Sequence, residues 1–301
     1  MMRSAVLSIT DRSFTKKLVS GTRAGRAVAQ RFVAGDTLEE AVEATKGLNE
    51  QGMPVSLDHL GEHVTAIEEA DAATASYLAC LDAIREHDLD ANISVKLTQL
   101  GMGLDDVRAA SNLERLAVAA GTMGTTVTVD MEESAYTERT LDIYESIQRE
   151  HGNVGIAIQS YLRRSPADLD RIIPLGGHIR LCKGAYAETE AIAYQAGGEV
   201  DAAFDRLAGQ LMRSTGIKPA IASHDDGRIE PILRLARDRS EPWEFQMLYG
   251  VRRDRQAELV ALGHEMRVYV PYGVAWYPYL TRRLAERPAN VVFFARALVG
   301  G

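Results

Sequence analysis

The sequence predicts a single α/β domain built as a (β/α)8 barrel of the TIM type. Three observations carry this. Eight short apolar runs, often β-branched, alternate with longer helical patterns, one helix after each run, over roughly 250 residues. The runs are close to continuously apolar, the mark of parallel strands covered on both faces. No G-x-G-x-x-G follows the first run, as it usually would in the rival architecture, a doubly wound sheet that binds a nucleotide.

In chain order, residues 1–50 precede the first strand and read as two or three helices packed outside the barrel. The strands follow as MPVSLD (53–58), NISVKL (92–97), TTVTVDM (125–131), VGIAIQ (154–159), HIRLCK (178–183), KPAIAS (218–223), EFQML (244–248) and MRVYVP (266–271). Amphipathic segments such as VTAIEEADAATASYLACLDAIREH, DVRAASNLERLAVAA, AYTERTLDIYESIQREHG and ADLDRIIPLG lie between them with helical spacing of their apolar residues. Beyond the eighth strand, PYLTRRLAERPAN reads as a last helix over the barrel mouth, with Pro278 at its first position. No linker, repeat or low-complexity tract divides the chain, so residues 1–301 are expected to form one domain.

Composition narrows the function. The chain has 301 residues and is 46% hydrophobic, enough to bury a sizeable core. Its 34 basic and 42 acidic residues give a net charge of -8, which argues against a nucleic-acid footprint. Cys80 and Cys182 have no metal-ligand spacing and fit a reducing, cytoplasmic setting. The opening MMRSAVLSITDRSF lacks the apolar region and cleavage site of a signal peptide, and no run is long enough to span a bilayer.

In such a barrel the chemistry sits at the C-terminal strand ends. Every strand end here carries polar groups: Asp58, His59 and Glu62; Lys96; Asp130, Met131 with Glu132 and Glu133; Gln159; Arg180 and Lys183-Gly184-Ala185-Tyr186; Ser223, His224 and Asp225; Gln246; Tyr269 and Tyr272. Each alone has an ordinary explanation. A strand lysine commonly lies at an edge or rim, but a buried Lys96 must be paired or shifted in pKa, with Asp130 a natural neighbour. Asp130 fits a helix cap as well as a site carboxylate. His59 and His63 have the i, i+4 spacing of a helical zinc pair with no third ligand marked, so no metal site is expected. Lys183-Gly184 offers a cation followed by a backbone that an anion can approach closely.

The last helix sets Tyr279, Arg282, Arg283 and Glu286 at i, i+3, i+4 and i+7, a single face. A solvated surface with an Arg–Glu pair would look like this. So would a guanidinium clamp on a carboxylate or phosphate, and a position after strand eight favours the clamp.

The strings DHLGE, KLTQLG, VDMEE, IQSYLRRSPADL, RLCKGAY, ASHD, FQMLYG, YVPYG and YPYLTRRLAERPAN together resemble the proline dehydrogenase family, in family order from about residue 53 to residue 294. The resemblance implies a distorted barrel that binds FAD without a Rossmann motif. It implies oxidation of L-proline to Δ1-pyrroline-5-carboxylate, with electrons passed to a quinone or another membrane acceptor. The protein would then be cytoplasmic, with peripheral contact at the inner membrane face. The length is that of the single-function enzyme, without an added aldehyde dehydrogenase domain. Position by position, Arg282 and Arg283 would hold the substrate carboxylate, Tyr279 and Leu248 would pack on its ring, and Lys96, Asp130 and Tyr269 would line the same pocket. Glu62 would gate it by pairing with an arginine, and Glu286 would steady the arginine pair. Arg180, with Lys96 and Asp130, would be catalytic. Met131, Gln159, Arg180, Cys182, Lys183, Gly184, Ala185, Tyr186, Ser223, His224, Asp225 and Gln246 would contact FAD. Ser223, Asp225 and Cys182 depart from common family choices, and AETEAIAYQAGG departs most. Hydroxyproline as substrate stays open, as do two rivals: a Schiff-base lyase using Lys96 or Lys183, and a metal hydrolase using His59, His63 and His224.

Overall fold

The computed structural model describes residues 30–279. Its strands β1 (Val55–His59), β2 (Ala91–Val95), β3 (Val127–Val129), β4 (Val154–Gln159), β5 (Gly177–Cys182), β6 (Ile217–Ala222), β7 (Glu244–Leu248) and β8 (Met266–Tyr272) pair in parallel with their chain neighbours. β8 returns to pair with β1, Val55 opposite Val268 and His59 opposite Tyr272, so the sheet closes. It is the expected (β/α)8 barrel.

The helices are α1 (Leu38–Asn49), α2 (Ile67–Glu86), α3 (Asp106–Thr122), α4 (Ser134–His151), α5 (Ser165–Ile172), α6 (Gly197–Arg213), α7 (Asp226–Leu235) and α8 (Arg253–Ala261). Short polar residues start several of them. Thr37 and Glu40 form a capping box on α1, and Asp105 caps α3. Gly152, at φ 72°, ends α4 in the left-handed conformation that glycine adopts without strain. The helix α1, from the segment expected outside the barrel, packs on β1 and β8.

Two strand boundaries differ from expectation. β2 stops at Val95 because the Lys96 and Leu97 carbonyls turn back to accept from Leu100 N (3.2 Å) and Met102 N (2.8 Å). β3 is three residues long because Thr125 N closes the end of α3 on Ala120 O. His59 and His63 do not share a helix, although their spacing is that of a helical pair. His59 ends β1, and His63 lies in the following loop at φ 52°.

The barrel also corrects the reading of its strands as continuously apolar. One set of alternate residues, including Val55, Leu57, Ile93, Val95, Val127, Val129, Ile179 and Leu181, joins the apolar layer shared with the helices. The other set is largely polar, and its side chains meet one another within the sheet. Ser56 Oγ donates to Asn92 Oδ1 (2.6 Å), and His178 Nε2 lies 3.1 Å from Glu244 Oε1. The small residues Ser, Thr and Asn pass for apolar at low resolution of pattern, which is why the alternation was overlooked.

Candidate active site

Four strands bring their charged ends together. Lys96, just beyond β2, is 7% exposed. Its ammonium donates to Asp58 Oδ1 of β1 at 2.9 Å and to Asp130 Oδ2 beyond β3 at 3.4 Å. Tyr269 of β8 donates its hydroxyl to Asp130 Oδ2 at 2.6 Å. From β5, Arg180 reaches Asp130 Oδ1 with Nη1, and the same nitrogen donates to Ser94 Oγ at 3.0 Å. Its guanidinium lies 5.3 Å from the centre of the Tyr269 ring. Arg180 Nε donates to Gln246 Oε1 of β7. Lys96, Asp130, Arg180, Tyr269 and Gln246 thus form one connected cluster at the C-terminal end of the barrel.

The electrostatics follow from the packing. Burial alone would push Lys96 below its usual value, but Asp58 and Asp130 outweigh it and hold the ammonium above the ordinary lysine range. Burial would raise Asp130, but Lys96 and Arg180 keep it below the ordinary carboxylate range. Tyr269 is pushed well up by burial and by Asp130, so it stays a phenol and a donor. Two atoms of the cluster are buried without a hydrogen-bond partner, Asp58 Oδ2 and Arg180 Nη2, and Nη2 is the only donor of the two. An orphaned cationic donor inside a polar cluster calls for an electron-rich acceptor.

A second set of residues surrounds this cluster. The Gln159 amide at the end of β4 donates to Met131 O (3.1 Å) and Glu132 O (2.8 Å) and accepts from Ala185 N (3.4 Å). It ties the ends of β3, β4 and β5 together. Cys182 closes β5, its thiol 3.5 Å from Ile158 O. Gly184 sits at φ 122° against the Tyr161 ring, where a Cβ would have no room. The Tyr161 hydroxyl donates to Tyr186 O at 3.2 Å. Lys183 pairs with Asp225 Oδ2 at 3.0 Å and also with Asp201. Asp225 caps α7 through Gly227 N, and its backbone N–H donates to Ser223 Oγ at 3.2 Å. His224 Nε2 accepts from Leu248 N at 2.9 Å. Glu62 is partly buried beyond β1, and Tyr279 is buried at the end of the described segment. Arg282, Arg283 and Glu286 lie outside the described residues.

Sequence reasoning passed over two members of the cluster. Asp58, fully buried at a strand end, was noted but given no role, and Ser94 was not singled out. Both were legible by period-two spacing: Ser94 lies two residues before Lys96, and Asp58 lies two after the inward Ser56. The histidines expected for a metal hydrolase do not gather. Among the described residues, His63 groups with Glu132 and Glu133, and neither close grouping joins it to His59 or His224.

A closed parallel barrel whose C-terminal mouth holds a buried lysine, aspartate and arginine has the framework of a (β/α)8-barrel enzyme. The family described as Proline dehydrogenase matches residues 41–296, and the chain belongs to it. It is 38% identical to Proline dehydrogenase 1 of Bacillus subtilis subsp. natto, over 99% of both chains. It is 33% identical to Proline dehydrogenase of Deinococcus radiodurans, over 100% of this chain and 99% of that one. Among solved structures, proline utilization A from Bdellovibrio bacteriovorus inactivated by N-propargylglycine superposes with a TM-score of 0.80 at 26% identity. The match covers 86% of this chain and 32% of that one, so the chain spans about a third of that protein's length.

Proposed function

We propose that the protein oxidises L-proline to Δ1-pyrroline-5-carboxylate, the first step of proline breakdown, with FAD as its cofactor. The observation that carries this is the buried Lys96–Asp130–Arg180–Tyr269 cluster, in a chain of the proline dehydrogenase family. The residues fit a flavin: Arg180 Nη2 is a buried donor awaiting an acceptor, and the Gly184 turn brings bare backbone to the cluster's rim.

Arg180, Gln246, Met131, Gln159, Cys182, Lys183, Gly184, Ala185, Tyr186, Ser223, His224 and Asp225 would hold FAD, which supplies a two-electron acceptor for the hydride leaving the ring carbon beside nitrogen. Lys183 and the amides after it suit the negatively charged pyrophosphate. On the substrate side, Arg282 and Arg283 would clamp the carboxylate, with Glu62 and Glu286 setting the arginines, as the family resemblance implies. Tyr279 and Leu248 pack against the ring. Such positioning supplies orientation, which in well-aligned cases accounts for several kcal/mol of a barrier. Lys96 and Arg180 put positive charge beside the substrate amine and favour its neutral form, and its proton leaves to water as the C=N bond forms. Asp130 and Tyr269 hold these two cations in place.

Lys96 does not serve as a Schiff-base nucleophile in this reading. Asp58 and Asp130 hold it protonated, without a free lone pair. Electrons leave to a quinone acceptor at a membrane surface, where the chain associates peripherally. No helix of the described residues is long and apolar enough to cross a membrane. The test is proline-dependent reduction of a soluble quinone, with the cyclic imine product trapped and quantified. Absence of trapped imine at any proline concentration overturns the proposal. Faster turnover of hydroxyproline than of proline would replace its substrate.

A further inference from the structure

We infer that Glu244 is a positioning residue for Arg180, acting through the side-chain amide of Gln246. The inference rests on the FAD reading above and deepens it, because it names what aims the cation toward the cofactor.

Glu244 begins β7 and is fully buried. Four side chains donate to its carboxylate, and the Glu265 carboxyl also lies against it, sharing Lys218 and Arg267. Arg267 Nε lies at 2.9 and 3.2 Å from its two oxygens, Lys218 Nζ at 2.9 Å from Oε2, and His178 Nε2 at 3.1 Å from Oε1. Gln246 Nε2, two residues along the same strand, donates to Oε1 as well. The other end of that amide, Gln246 Oε1, accepts from Arg180 Nε. The order of the contacts fixes the amide's direction. An arginine only donates and a carboxylate only accepts, so a turned Gln246 would set donor against donor at one end and acceptor against acceptor at the other.

A continuous column results: Lys218, Glu244, Gln246, Arg180, Asp130, Lys96 and Asp58, with charge alternating across the neutral amide. The lower residues of the column take no part in the site described above, yet they anchor its central cation. Arg180 is held at Nε by Gln246 and at Nη1 by Asp130 and Ser94, which leaves Nη2 as its one unused, buried donor. Releasing Nε allows the guanidinium to turn about its bond and spoils the aim of Nη2. The groups facing Glu244 also hold it ionised: Arg267, His178 and Lys218 outweigh the opposing effect of burial and keep it well below the ordinary carboxylate range.

Positive charge beside a flavin tunes its electronics, so the readout is the flavin's reduction potential rather than activity. Purified wild-type protein and variants are loaded with FAD, and midpoint potentials are measured by dye equilibration alongside melting temperatures. Glu244→Gln is expected to shift the flavin's reduction equilibrium about tenfold toward the oxidised form, the worth of one aimed hydrogen bond, or about 30 mV more negative for a two-electron couple. Gln246→Leu should shift it at least as far, and adding Glu244→Gln to Gln246→Leu should shift it no further. Lys218→Met, which strips a partner from Glu244 without touching Gln246, should lower the melting temperature and leave the potential at the wild-type value. If Glu244→Gln does not fold, Glu244→Asp decides. It keeps the charge but draws it back from Gln246, and is expected to move the potential in the same direction by about threefold in the equilibrium. A folded Glu244 variant with the wild-type potential overturns the inference, as does additivity in the double variant. Wild-type protein that binds no FAD overturns the functional reading itself, a distinguishable failure.

Discussion

Lys96 shows what the site costs the fold and why the fold carries it. A buried ammonium is tolerated only with compensation, and here two carboxylates and a phenol supply it. Lys96→Met would leave Asp58 and Asp130 as buried anions short of a partner. It is expected to lower the unfolding free energy by about 3–5 kcal/mol, measured by denaturant titration, besides reducing proline oxidation. Unchanged stability would mean that the two aspartates do not depend on the lysine. Gly184 makes a different demand. Its φ of 122° and the Tyr161 ring against it exclude a side chain, so Gly184→Ala is expected to cost about 1–3 kcal/mol and to loosen flavin retention. Gel filtration with absorbance at the flavin band reads the second effect.

At the scale of elements, α7 and β5 are joined by one residue. Asp225 caps α7 and receives Lys183 from the turn after β5. Asp225→Ala is expected to cost about 1 kcal/mol through the lost cap, seen as a lower melting temperature. The partly exposed ion pair adds less. Elements were the most legible part of the sequence. Short apolar runs, often β-branched, announced all eight strands, and long amphipathic stretches announced α2, α3 and α4 close to their observed limits. Less visible were effects that depend on three-dimensional partners. The Lys96 carbonyl ends β2 by accepting from Leu100 N, which no strand propensity records. The segment after β5 takes its order from partners distant in sequence: Ala193 packs on Tyr161 and Leu162, and Tyr194 N donates to Tyr161 O. The i, i+4 spacing of His59 and His63 carries no helical pair, since His59 ends β1.

Across the whole molecule, the chain places its apolar residues between sheet and helices and its polar ones inside the sheet, so the barrel interior leads into the site. That interior sets the pH response. Asp130 and Glu244 titrate below their unfolded values, so their stabilisation is complete above about pH 4, the unfolded value, and is lost as pH falls through the folded ones. His178, held below the ordinary imidazole range by burial, adds a loss that begins as pH falls from about 6.5. Lys96, raised above its unfolded value, keeps its contribution at every pH below about 10.4. The melting temperature is therefore expected to fall on acidification from pH 6.5, and a rise would contradict the assigned protonation states. At this scale the site was legible in outline, since the strand ends named Lys96, Asp130, Arg180, Tyr269 and Gln246. Glu244 was not given a role, because its importance lies in contacts across the barrel with Arg267, His178 and Lys218. The proposed function requires this barrel mouth to hold a flavin and to deliver proline's electrons to it. The direct measurement is anaerobic titration of FAD-loaded protein with L-proline, followed at the flavin absorbance band. Stoichiometric bleaching is expected, and protein that stays colourless with added FAD, or yellow in saturating proline, would contradict it.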